Sequence, residues 1–158
     1  LGYDNNKRLI NLNQATKTNL STYLEQYRML TDAINIKNAF IINFALDFEI
    51  TTFKNYNNQE TLLQCITDLR DYLNIDKWQI NQPIILSEIE NLIGSVRGVK
   101  TLEKLELTNK SGRVLGYSPY KYSFEAATKK GVLYPSLDPS IFELKYPDSD
   151  IRGRVITY

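Results

Sequence analysis

Histidine is absent from the 158 residues. Catalytic triads built on imidazole, His-ligated zinc, haem held by a proximal His and imidazole pH switches are thereby excluded. Cysteine occurs once, as Cys65, so no internal disulfide forms and no thiolate metal cluster can be assembled. Neither sign of charge is in surplus. Basic residues number 19 and acidic residues 18, for a formal net charge of +1, which is not the balance of a general polyanion binder. No run of consecutive apolar residues exceeds four, against the roughly 20 that a helix needs to cross a bilayer. No signal peptide opens the chain, and a membrane partner is not expected. Internal repeats and Gly/Ser linkers that would separate two folding units are also missing.

What remains is a composition of 42% hydrophobic and 23% charged residues. A chain of this length and make-up buries roughly 70% of its unfolded surface in one core. Asparagine is used 15 times, always at or before Asn109, and tyrosine is dense from Tyr117 onward, so the composition shifts near residue 110. The chain begins at Leu1 rather than methionine, which suggests a fragment of a longer protein.

Two periodicities organise the sequence. Leu1 to Asn13 is polar and reads as poorly ordered on its own or borrowed from a preceding domain. Leu20, Tyr23, Leu24, Tyr27, Leu30 and Ile34 recur at spacings of three and four, predicting an amphipathic helix over about Gln14 to Ala33. From Ala39 to Thr51 the period becomes two: Phe40, Ile42, Phe44, Leu46, Phe48 and Ile50 take one face, and Asn43, Asp47, Glu49 and Thr51 the other. Asn57 and Glu60 form a capping-box pattern before a helix face of Leu62, Leu63, Ile66, Leu69 and Leu73. Ser87 and Glu90 would cap a short helix bearing Ile89, Leu92 and Ile93, ended by Gly94 or Gly98. Val99 to Thr108 reads as a strand, and Asn109-Lys110-Ser111-Gly112 as the turn of a hairpin returning through Val114 and Leu115. Pro119, Pro135, Pro139 and Pro147 confine the tail to short edge strands, over Ile141 to Tyr146 and Ile151 to Tyr158. The fold class is therefore α+β: a small mixed or antiparallel sheet, two or three packed helices, a hairpin and an extended proline-rich tail. The chain divides into a polar segment and helix over 1–34 and an α+β assembly domain over 35–158, together one structural unit.

Candidate chemistry is sparse. Cys65 falls among helix-face leucines and reads as a small buried residue. Asp148 and Asp150 stand two apart in Tyr146-Pro147-Asp148-Ser149-Asp150. The Ile151-Arg152-Gly153-Arg154 that follows lacks the further oxygen ligands and closing glutamate of a calcium loop, so the segment reads as a turn. Gly94-Ser95-Val96-Arg97-Gly98-Val99 has neither the lysine nor the strand-to-helix order of a phosphate loop. No nucleophile elbow or Ser-x-x-Lys set appears. No catalytic residue, metal site or cofactor is assigned, and an enzyme is not expected. Between Arg97 and Lys130, eight basic residues face three acidic ones, with Tyr117, Tyr120 and Tyr122 interleaved. That stretch suits either an acidic protein surface, such as the acidic segment 138–150 of another copy, or single-stranded nucleic acid. Charge balance favours the former. Tyr117, Tyr120, Tyr122, Tyr134 and Tyr146 are the candidate interface residues.

The run Pro83-Ile84-Ile85-Leu86-Ser87-Glu88-Ile89-Glu90-Asn91-Leu92-Ile93, then Val96-Arg97-Gly98-Val99 and Leu105-Glu106-Leu107, resembles the C-terminal region of baseplate J-like proteins. The tail from Gly131-Val132-Leu133-Tyr134-Pro135 through Ile141-Phe142-Glu143-Leu144-Lys145-Tyr146-Pro147 to Asp150-Ile151-Arg152-Gly153-Arg154-Val155 is similar, more narrowly, to the ring-forming baseplate wedge subunits of T-even-type contractile-tail bacteriophages. The resemblance covers roughly residues 84–157. It implies a non-enzymatic part of the virion's tail baseplate, synthesised in the bacterial host cytoplasm. Copies would pair as homodimers, close a ring around the tail hub and contact other wedge proteins, without nucleic acid. The alternative is a nucleic-acid or acidic-ligand binding module using residues 97–130, with a hydrolase third.

Overall fold

The computed structural model describes residues 1–29 and 33–157. Two units are distinguished, Leu1–Ala39 and Phe40–Tyr158, the division falling five positions beyond the 34/35 boundary expected from sequence. In the first unit the polar opening stretch is ordered, a correction to its reading. It forms a hairpin of β1 (Gly2–Tyr3) and β2 (Leu9–Ile10). Asp4 fixes the connection: its Oδ1 accepts from the amides of Asn6 and Arg8 at 2.8 and 2.9 Å, local bonding that favours turns. Helix α1 spans Gln14–Glu25, and Asn13 caps it by accepting from the Thr16 amide at 2.8 Å. The helix ends well short of Ala33 because its last turn tightens: the Gln26 and Tyr27 amides bond to carbonyls three residues back. None of its residues is buried, so the apolar spacing marks no core face. Leu30 lies outside the described residues, and Ile34 is outside the helix.

The second unit is built on β3 (Phe40–Thr52), whose span follows the sequence although residues 41–46 are buried on both faces. Ile42, Phe44, Leu46, Phe48 and Ile50 are all at most 2% exposed. Phe40, assigned to the same face, is instead 43% exposed at the strand entrance. Helix α2 (Asn58–Tyr72) starts at Asn57, whose Oδ1 accepts from the Gln59 and Glu60 amides. Its buried stripe is Thr61, Cys65 and Leu69. Leu63, two positions from the stripe and so on the other side of a 3.6-residue turn, is exposed rather than on the core face. A 3₁₀ turn (Ile75–Lys77) leads to β4 (Ile84–Ile85) and α3 (Leu86–Ser95). Ser87 does not cap α3. The N-cap is Ile85, without a side-chain bond, because α3 follows directly from β4. Gly94 lies inside the helix, and Gly98, at φ +103°, makes the turn into the next strand. There a side chain would meet Thr61 Oγ1, and only glycine takes that backbone freely.

Strand β5 (Val99–Lys110) pairs antiparallel with β3. The predicted local hairpin is not formed. After Lys110 the chain enters a 3₁₀ turn, Arg113–Leu115, flanked by Gly112 and Gly116 at positive φ, and both Val114 and Leu115 are exposed. The strand finds its partner far back in sequence because β3 offers the apolar face. Helix α4 (Phe124–Ala127), β6 (Thr128–Lys129) and β7 (Val132–Leu133) follow, and β7 lies between β4 and β6 in a small antiparallel sheet.

The tail closes the main sheet. β8 (Ser140–Glu143) and β9 (Ile151–Val155) both run parallel to β3 and share its second edge. Helix α5 (Pro147–Asp150), with Pro at its first turn, interrupts them. The strands are shorter than the spans read from sequence, and Tyr158 lies outside the described residues. The order β5-β3-β8, with β9 also on β3, makes a mixed sheet with β3 at its centre. Helix α2 packs on β9, α3 on β5 and the helices on each other. Phe142, edge-on to both Phe44 and Phe124, fills the rest of the core.

Candidate assembly surfaces

On the face of β3 opposite the aromatic core, Asn43 and Ala45 are buried although an alternating strand read them as outward. The arm after β5 reaches Asn43. Asn43 Oδ1 accepts from the Ser118 amide at 2.7 Å, and its Nδ2 donates to Glu143 Oε1 at 2.8 Å. Asn109 extends the tie, donating to the Asn43 carbonyl at 2.9 Å and accepting from the Tyr122 amide at 3.0 Å. Residues 112–122 are therefore pinned by two asparagines, each satisfied as donor and as acceptor, as buried polar groups must be. The one sequence signal for this knot was a lone asparagine within the apolar run Ala39 to Leu46.

The five candidate tyrosines are not brought together into one patch. Tyr117 donates to the buried Asp150 at 2.6 Å and stands edge-on to Tyr146 at 5.3 Å. Burial first, and then the bond to Asp150, push the Tyr117 phenol up to about 12. Tyr146 reaches the Gly116 carbonyl at 3.4 Å, and Lys145 Nζ reaches the same oxygen at 2.6 Å. These two tyrosines tie the arm to the tail. Tyr120 lies between Phe40 and Tyr122, with ring centroids 4.6 and 6.2 Å away and planes within 21° and 18° of parallel. Tyr122 donates to the Tyr134 carbonyl at 2.8 Å. Tyr134 alone among the five is exposed, at 48%. It borders a groove of about 1080 Å³ lined by Tyr122, Val132, Tyr134, Pro135 and Leu137, with Lys129 and Lys130 at its rim. Leu137, which sequence reasoning passed over, projects fully into solvent.

Cys65 is buried in α2. Desolvation, and then the nearby Asp68 carboxylate, raise its thiol to about 11, far from the thiolate that reacts. Asp148 and Asp150 diverge. Asp150 is buried and also accepts from the Tyr146 amide at 3.3 Å, while Asp148 meets Arg70 at 2.6 Å on the surface.

The basic stretch is likewise divided. Arg97 lies over Tyr56, 5.9 Å from the ring centre, and bonds its hydroxyl at 3.2 Å. Lys104 pairs with Glu106 at 2.7 Å. Register places these two in charged rows across the sheet. Arg154 of β9, Glu49 of β3 and Lys104 of β5 stand in one row, and Arg152, Asp47 and Glu106 in the next. Arg154 bonds Glu49 within the first row.

No family model matches the chain, and no curated protein matches it.

Proposed function

We propose that this chain is a structural assembly module of a contractile-tail baseplate, as its resemblance to the ring-forming wedge subunits implies. It would pair with its own copies and dock other wedge proteins. The observation that carries the reading is the groove bounded by Tyr134 and Leu137. A fully exposed leucine beside a half-exposed tyrosine and two prolines is a large apolar surface with a lysine rim, the kind that protein partners cover. Asp150 and Glu143, the buried carboxylates, serve internal hydrogen bonds to Tyr117 and Asn43, which fits a scaffold. The test is sedimentation of the 158-residue chain alone and with the products of its flanking genes, since tail genes cluster. Self-association, together with a complex weakened by Leu137→Asp, is expected. A chain that stays monomeric and binds no neighbouring product refutes the reading.

A second reading rests on the stack of Phe40, Tyr120 and Tyr122 beside Lys121, an arrangement that suits single-stranded nucleic acid. Binding of an oligonucleotide that weakens with salt and is lost in Tyr120→Ala favours it. The pairing of Lys104 and the use of Arg97 within the fold weigh against it.

A further inference from the structure

The outer edge of β5 is open along a charged face. Among the described residues β5 pairs with β3 alone, and the arm at residues 118–122 bonds to Asn43, Asn109 and the Tyr134 carbonyl. The two charged rows end at this edge with opposite signs. The row Arg154, Glu49, Lys104 ends in a cation. The row Arg152, Asp47, Glu106 ends in an anion that stands beside another anion. Lys104 and Glu106 now neutralise each other along the strand at 2.7 Å, with side chains 52% and 49% exposed. On the opposite face, between them in sequence, Leu105 is half-buried.

We propose that a second copy of this chain adds antiparallel to the β5 edge, about a two-fold axis at Leu105. This names the surface for the self-association proposed above and rests on that reading. Side-chain direction alternates along a strand, so a two-fold axis normal to the sheet passes through one residue, and the registers differ in steps of one residue. Centred on Leu105, Lys104 opposes Glu106 of the second copy, twice by symmetry, and Leu105 meets its own counterpart. Each row then runs on across the dimer, and Glu106 gains a cation opposite Asp47. Centred on Glu106, the two glutamates face each other, which like charges oppose. Centred on Leu107, Lys104 would face Lys110. Among the centres Leu105, Glu106 and Leu107, charge thus favours Leu105, and the same charges blunt the edge against indiscriminate pairing. The extra residue at Glu103, where the β3 register shifts, limits the ladder to about Glu103–Leu107. The interface is isologous, as a two-fold dimer requires.

The test is Lys104→Glu and Glu106→Lys in the 158-residue chain, each checked for wild-type circular dichroism and melting, with association read by sedimentation. Each variant alone places like charges across both symmetric pairs, and its self-association is expected to weaken at least about tenfold. Mixed together, the two restore opposite charges at every pair, so a heterodimer is expected to form. Backbone amides of Lys104 to Glu106 should also gain exchange protection as wild-type concentration rises. If the wild type dimerises and both variants dimerise equally well, copies pair elsewhere; the edge proposal falls while the assembly reading stands. If wild type and mixture are both monomeric, edge pairing is refuted and self-association with it.

Discussion

Phe44 offers the sharpest test of the core. It is 2% exposed and meets Phe142 edge-on, with ring centroids 6.3 Å apart. Truncation to alanine removes a fully buried ring between two strands that are themselves held by β3 pairing, so the site cannot collapse. Phe→Ala changes of this kind cost about 3–5 kcal/mol, and the lost edge contact accounts for about 0.5–1.5 of that. With a urea dependence of about 2 kcal/mol per molar, the unfolding midpoint should fall by roughly 1.5–2.5 M. The internal control is Phe40→Ala. Phe40 has the same parity on the same strand but is 43% exposed and stacked on Tyr120 at 4.6 Å, so its loss should cost about 1–2 kcal/mol. Urea titration followed by far-UV circular dichroism measures both. A double-mutant cycle with Phe142→Ala should return a coupling of about 0.5–1.5 kcal/mol. If Phe44→Ala costs no more than Phe40→Ala, the assignment of the buried face of β3 is wrong.

Gly153→Ala should cost about 1–3 kcal/mol through overpacking, because a Cβ there would collide with the Phe48 ring and come within 2.6 Å of Leu62 Cδ1; Leu62→Ala in the same chain should recover part of the loss, and purely additive losses would contradict the collision. Native Cys65 should resist a thiol reagent that labels the urea-unfolded chain at once, and rapid native labelling would contradict a thiol raised to about 11 by burial. The Tyr117 phenol is raised from 10.0 to about 12 in the folded chain. Its stabilising contribution is therefore whole below about pH 10 and lost as pH rises through about 12. Tyr117→Phe should flatten that alkaline loss relative to wild type, and an unchanged alkaline profile would show that folding does not raise the Tyr117 phenol. Chelator should leave the melting temperature unchanged, since Asp148 and Asp150 take separate partners; a drop reversed by calcium would expose a bound ion.

The elements that were legible in sequence are those whose pattern is local. β3 and α2 could be read because a single buried face imposes its period on consecutive residues, and Asn57 announces its helix by its own side-chain chemistry. Pairing was not legible, because it depends on which distant segment offers the complementary face. β5 carries turn residues after Asn109 that would serve a hairpin, yet the glycines there at positive φ redirect the chain into an arm, and β3 supplies the better partner. The apolar spacing of α1 misled for a related reason: Leu20 and Tyr23 have the period of a core face but remain 40% and 56% exposed. The candidate tyrosines were found by composition alone, which does not distinguish Tyr134 at a groove from Tyr117 against a buried carboxylate.

That distinction follows from how the tail interrupts its own strand. Glu143 stands opposite Asn43, and Ile151 opposite Leu46, so the tail uses eight steps where β3 uses three. The surplus chain is looped out as α5, and a loop of that size would leave polar groups stranded at the sheet edge. Asp150 prevents this by accepting from the Tyr146 amide at the start of the excursion and from Tyr117 on the arm, while Lys145 and Tyr146 converge on the Gly116 carbonyl. Arm and tail hold each other through these bonds, and each carries the other over the Asn43 face. Residues occupied in this lock cannot also meet a partner without breaking it. The two surfaces proposed for docking are ones this lock leaves open: the Leu137 groove and the charged β5 edge, where Lys104 pairs with Glu106 along the strand and stands beside Glu49 in its row.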